Sequence, residues 1–219
     1  MSPGAVRPGA RWEQPASGPP DLVVAGSDAD LAAAVAGRPG ALVRFDPDPS
    51  SDLARTLGRG GRGVLEVALD ALAVRLDDRE VLAVNAVVVG TPPDRLRPWS
   101  RRRRLRVEAD DRALHEGPAT SVVVATGQFL RGGDLCPRGH PGDGRVEVQV
   151  YDVPPGERAA LRDRLRRGAH VPHPRIVERS ARRVVVASDG RPVEVDGRAL
   201  GRARRVRVEV RAGAYRLLL

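Results

Sequence analysis

Lysine is absent from the 219 residues, so all 37 basic side chains are arginines. That absence removes a Walker A lysine, a Schiff-base lysine and a kinase strand lysine, because each mechanism needs that side chain itself. Cys136 is the single cysteine, which excludes an intramolecular disulfide and a thiolate metal cluster and reads as a small buried hydrophobe. No stretch approaches the roughly 18 apolar residues of a membrane span, and the N-terminus lacks the apolar core of a signal peptide. A cytoplasmic protein, with at most peripheral contact to a membrane, is expected. Asparagine and isoleucine occur once each, as Asn85 and Ile176, while Arg, Ala, Gly, Val and Pro abound, which points to a high-GC bacterial genome.

The net charge of +9 would suit nucleic acid or an anionic membrane surface. Helix-turn-helix, zinc-finger and aromatic stacking signatures are all missing, so nucleic acid is not the expected partner. Many arginines stand between apolar strand positions, as from Arg205 to Arg211, which is how a solvated face reads. The partners that remain are a lipid or anionic membrane surface, for which Arg101 to Arg104 are candidates, and a second copy of the chain in a homodimer.

Residues 1–20 contain Pro, Gly and Ser with few apolar residues, and are expected to form a disordered leader. A strand at Leu22 to Ala25, a helix from Asp28 to Ala36, a strand at Ala41 to Phe45 and a helix from Ser50 or Ser51 to Gly58 follow. This alternation predicts a parallel α/β layer over 21–81, with ligands at the strand C-termini facing helix N-termini. Arg59 to Gly63 reads as a flexible joint. Beyond it the pattern has period two, as at Val146, Val148, Val150 and at Val206, Val208, Val210, with one helix from Pro155 to Arg167. Residues 82–219 are therefore expected to form a β-sandwich-like domain, with Asp143-Gly144, Asp189-Gly190 and Asp196-Gly197 as turns.

The stretch VVVATGQFLRGGDLCP, Val122 to Pro137, resembles the second-domain signature of the diacylglycerol kinase and bacterial lipid kinase superfamily. Later landmarks keep that family's order: PGDGRVEV from Pro141, RGAHVPHP from Arg167 and VDGRAL from Val195. Further back, VVAGSDADL from Val23 is similar to the family's V-V-x-G-G-D-G-T-L, and the run from Asp46 to Gly58 to its P-x-G-T-x-N-D-F-A-R-x-L-G. The resemblance implies a truncated NAD kinase/diacylglycerol kinase-like fold, α/β followed by β, without the family's first strand-helix units ahead of Leu22. It also implies ATP-dependent phosphorylation of a lipid hydroxyl, with ATP and Mg²⁺ as cofactors. Gly26, Ser27, Asp28 and Asp52 fall at its nucleotide positions and Asp196 at its catalytic position. No residue presents itself as a metal ligand: His170 and His173 lie three apart beside prolines without a third partner.

The departures bear on activity. A backbone brought against phosphate needs glycines, yet Ser27 and Ala29 replace two of them, and Asp30 puts a carboxylate where a hydroxyl could donate. Asp46, Asp48 and Pro49 add two negative charges and remove an N–H. Like charges a few ångströms apart cost roughly 1–4 kcal/mol, and a lost donor about 0.5–1.5 kcal/mol. Arg198 replaces the glutamate of V-D-G-E, and a guanidinium beside Asp196 would depress that carboxyl's pKa. The Asp-Gly pair is also explained by a hairpin turn alone. Two main readings follow, a degenerate lipid kinase relative acting as a binding module or an active Mg²⁺-dependent lipid kinase, with an Arg-rich binder of nucleic acid or an anionic surface as a minor third.

Overall fold

The computed structural model describes residues 13–58 and 65–219. Residues 1–12 of the expected leader, and the expected joint Arg59 to Gly63, lie outside the described residues. The remainder of the leader departs from expectation, because β1 (Glu13–Pro15) is a strand. Its scarcity of apolar side chains does not matter, since backbone ladder bonds and a carboxylate hold it. Ser17 donates through its N–H and hydroxyl to Glu66 at 2.9 and 2.8 Å.

Strand and helix alternate as expected through β2 (Leu22–Gly26), α1 (Asp28–Val35), β3 (Leu42–Pro47) and the short α2 (Asp52–Thr56), while residues 65–81 of the expected layer are antiparallel sheet instead. Strands β2 and β3 run parallel. Leu31, Ala32 and Val35 recur at helical spacing on α1, so they share one face, and all three are buried in a cluster with Val43, Leu53, Val67 and Tyr215.

The rest of the chain is sheet: β4 (Leu65–Leu76), β5 (Arg79–Ala83), β6 (Ala86–Gly90), β7 (Arg103–Ala109), β8 (Arg112–Ala119) and β9 (Ser121–Ala125). The two-residue strands β10 (Phe129–Leu130) and β11 (Gly133–Asp134) precede β12 (Val146–Tyr151). After α3 (Arg158–Leu165) come β13 (Ile176–Ala181), β14 (Arg183–Val195) and β15 (Arg198–Leu218). Alternate valines of β6, β9, β12, β14 and β15 fill the sandwich interior, among them Val87, Val124, Val148, Val186 and Val208, as the period of two requires. Strand β15 pairs antiparallel with β14 and β4 and parallel with β3, so one strand serves both layers.

Several expected strands merge. The segments on either side of Asp189-Gly190 are one strand, β14, and that pair occupies a bulge rather than a hairpin turn, marked by the register shift between Ala187 and Arg191. Strand β15 likewise absorbs a shift between Arg211 and Tyr215. The opposite happens over 82–89, an almost unbroken apolar run in which β5 and β6 are separated at Val84 and Asn85. The N–H groups there turn toward the Asp196 carboxylate instead of a neighbouring strand. The predicted helix shortens because Pro155 and Gly156 lie in a 3-10 turn ahead of α3. Among the described residues no helix is long and apolar enough to cross a membrane.

Candidate functional site

Where α1, α2, the β5–β6 link, the β10–β11 turn and the β14–β15 turn converge, they enclose a cleft of about 390 Å³. Four of the five residues singled out in the sequence line it: Ser27, Asp28, Asp52 and Asp196. Gly26 does not line the cleft, and its role is steric. Its φ is +123°, and a Cβ there would lie 2.6 Å from Asp30 Oδ2.

Each turn around the cleft binds a carboxylate of this chain. Asp28, buried at the start of α1, accepts the Ser51 hydroxyl at 2.5 Å and the N–H groups of Asp52 and Leu53 at 3.1 Å each. Ser51 Oγ in turn accepts the Ala54 N–H at 3.0 Å, so the free amides that open α2 are engaged within the protein. Asp52 accepts the N–H groups of Arg131 and Gly132 at 2.5 and 2.7 Å. Asp196 accepts those of Val84, Asn85 and Ala86 at 2.8, 3.0 and 2.9 Å. At α1, Asp30 closes a capping box with Ser27, accepting its N–H at 2.9 Å and its hydroxyl at 2.6 Å. An anion approaching that helix end therefore meets a carboxylate already in place.

Asp196 sits at φ +46° and Gly197 at +80°, with Val195 opposite Arg198. This is the two-residue hairpin that Asp-Gly favours, and the same turn aims the carboxylate at β5–β6. Burial, with a smaller contribution from the charge of Asp28, pushes the Asp196 carboxyl up from 3.8 to about 7. Burial also raises Asp28. The expected depression of Asp196 by Arg198 does not occur, because the guanidinium turns away to Asp30 at 2.5 Å. Asp30 is the carboxyl held low, at about 2, chiefly by the Ser27 hydroxyl and N–H and then by Arg198. The expected repulsion from Asp46 and Asp48 is also misplaced. Neither lines the cleft, and Asp48 instead accepts from Ser50 at the head of α2.

Sequence reasoning missed four cleft residues. Arg131 contributes its N–H to Asp52, while its guanidinium bridges Asp94, at 3.0 Å, and Glu194. Gly132 supplies the companion amide. Arg55 lies over the Phe129 ring, 5.9 Å from its centre, and forms no ion pair among the described residues. Asn85 donates to the Phe129 carbonyl at 3.1 Å and leaves its own buried Oδ1 without a partner. The signal for all four was present: Asn85 is the single asparagine, Arg131-Gly132 lies inside the glycine-rich stretch that carried the resemblance, and Arg55 lies inside the run from Asp46 to Gly58.

Other features stay apart from the cleft. His170 is buried and stacks on Tyr151, with ring centres 6.5 Å apart, while His173 faces Glu157 at 3.6 Å. Burial pushes the Cys136 thiol well up, as an unreactive interior cysteine requires. A larger hollow of about 630 Å³ lies on the outer sheet face, where Glu80 bridges Arg75 and Arg211 at 3.3 and 3.0 Å and Asp111 pairs with Arg183.

The donor set does not fit a magnesium-bound triphosphate held through these turns. The amides of α2 and of the 131–132 and 84–86 segments already bind carboxylates, and α1 presents Asp30. Among the described residues no group of three or more His, Cys, Asp or Glu side chains is arranged to hold a metal ion.

Comparison with known proteins gives the kinship directly. A family model described as the YegS C-terminal NAD kinase beta sandwich-like domain matches residues 65–219. No curated protein matches the sequence significantly. The fold is similar to three solved structures from Bacillus anthracis str. Sterne. One is described as a diacylglycerol kinase, with TM-score 0.71, 17% identity, and 90% of this chain and 76% of that chain covered. The other two, provisionally described in the same way, have TM-score 0.72, identities of 15% and 16%, and coverage of 90% and 78%.

Proposed function

Since the chain belongs to the family of the YegS C-terminal NAD kinase beta sandwich-like domain, within the diacylglycerol kinase-like superfamily, we propose that it is a binding module with weak or absent phosphoryl transfer. The observation that carries this reading is the engagement of the cleft amides by Asp28, Asp52 and Asp196. Backbone donors hold phosphate when they are free to point at it, and here a phosphate would have to displace a carboxylate from each turn. Lipid kinase chemistry in this superfamily uses ATP and Mg²⁺, and both would meet a cleft lined by three carboxylates against Arg55 and Arg131.

The competing reading, an active Mg²⁺-dependent lipid kinase, draws on one observation. A carboxyl at about 7 is suited to take a proton from a hydroxyl near neutral pH. Against it, both oxygens of Asp196 already accept hydrogen bonds. Purified protein incubated with ATP, Mg²⁺ and mixed diacylglycerols separates the two readings. The module reading expects at most trace turnover and no rise in melting temperature with ATP-Mg²⁺. Turnover at roughly the 1–100 per second usual of kinases that disappears in Asp196→Ala refutes it.

A further inference from the structure

Trp99 is 78% exposed, although an indole is among the side chains that gain most from leaving water. It stands on the turn between a 3-10 segment, Pro93–Arg95, and β7. That turn is pinned. Arg158, 1% exposed, donates to the carbonyls of Arg97 and Pro98, each at 2.7 Å. Arg162 donates to the carbonyl of Leu96. The Arg97 N–H meets Ser100 Oγ at 2.9 Å, and the Ser100 N–H meets the Arg97 carbonyl at 3.0 Å. Leu96, one turn back, is fully buried. The backbone around Trp99 is thus fixed from beneath while its ring is left outside.

The surrounding charge is mainly positive. Arg102 and Arg103 reach acids, Asp152 at 2.5 Å and Asp189 at 2.6 Å. Arg97, Arg101 and Arg104 are exposed and form no ion pair among the described residues. A rigidly held indole with unpaired guanidiniums two residues to either side and five residues on matches the boundary of an anionic bilayer, where Trp settles at the headgroup level and arginines meet lipid phosphates.

We propose that this turn docks the protein on an anionic lipid bilayer, with Trp99 entering the headgroup region and Arg97, Arg101 and Arg104 contacting phosphates. Nucleic acid fits less well, since stacking of successive bases needs several exposed aromatics. Tyr151 and Tyr215 are fully buried, and Phe129 lies under Arg55. The turn also adjoins the cleft: Asp94, in its 3-10 segment, pairs with Arg131, whose amide holds Asp52. Docking would therefore bring the cleft rim to the lipid surface. The inference is independent of whether phosphoryl transfer occurs.

The test uses the full chain carrying Trp12→Phe, so that Trp99 alone reports by emission. Vesicles of phosphatidylcholine with one third phosphatidylglycerol are compared with phosphatidylcholine alone, by co-sedimentation and fluorescence. Binding to the anionic vesicles with a blue shift of Trp99 is expected, weakening as salt rises. Each free arginine contributes about fivefold, so replacing Arg97, Arg101 and Arg104 together by Gln lowers affinity about a hundredfold. In the parent sequence, Trp99→Ala removes most of the remaining binding while leaving the far-UV spectrum unchanged. The proposal is overturned by absence of binding, by equal binding to both vesicle types, by variants that bind as well as the parent, or by preference for duplex DNA.

Discussion

Replacing Asp196 by Asn removes the charge at the centre of the cleft and one of its two acceptor oxygens, and the two effects separate with pH. The Asp196 carboxyl is raised from 3.8 to about 7, mainly by burial. A shift of about three units, at roughly 1.4 kcal/mol each, amounts to about 4 kcal/mol. A raised carboxyl keeps its proton in the folded state at pH values where the unfolded chain has lost it. Between about pH 4 and 7 the folded protein binds more protons, so this group's contribution to stability falls as pH rises and is fully lost above that window. Asp196→Asn cannot ionise. It forfeits about 1–2 kcal/mol at every pH, because an amide presents one acceptor oxygen to the three amides of Val84, Asn85 and Ala86. Urea unfolding of both proteins, followed by circular dichroism from about pH 4 to 8, should show the variant less stable at the acid end and gaining on the parent toward the alkaline end. Taking the difference cancels the titration of every group that Asp196 does not touch. A difference that stays flat across the window refutes the reasoning.

Two further outcomes are expected. Gly90 has φ +100°, and a Cβ there would stand 2.4 Å from the Thr120 carbonyl oxygen. Gly90→Ala should therefore cost about 3 kcal/mol or more, read as a drop in urea midpoint or a loss of folded yield; a midpoint equal to the parent's contradicts the geometry. Arg158→Met keeps most of the buried volume but leaves the carbonyls of Val153, Arg97 and Pro98 without their donor. Rapid trypsin cleavage after Arg95 or Arg101 is expected in that variant, with the parent resistant at those bonds.

Much of the fold was legible because the valine periodicity and the strand-helix rhythm are properties of the local sequence. Strand merging was not. Asp189-Gly190 has hairpin chemistry, and only its position between strand halves facing the same partner makes it a bulge. The break at Val84 and Asn85 was hidden for the same reason, since the carboxylate that causes it lies 110 to 112 residues away. At the site, Ser27, Asp28, Asp52 and Asp196, singled out by resemblance, line one cleft. The resemblance did not foresee which acid Arg198 would choose: from sequence Asp196 was the near neighbour, but the hairpin turns the guanidinium toward Asp30, 168 positions away. Charge placement depends on tertiary geometry, and adjacency in the chain is a poor guide to it.

The threefold pairing of β15 also orders the birth of the protein. Strands β3 and β4 each need β15 as a neighbour, through pairs such as Leu42 with Arg216 and Val67 with Leu217. During synthesis the α/β layer and the long β4 must wait, with one edge open, until residues 198–218 have left the ribosome. An open edge is a template for pairing with other chains, and contacts so distant in sequence form slowly. The nascent chain is consequently vulnerable to aggregation until β15 arrives, and the strand that unites the two layers is also the one that ends that exposure.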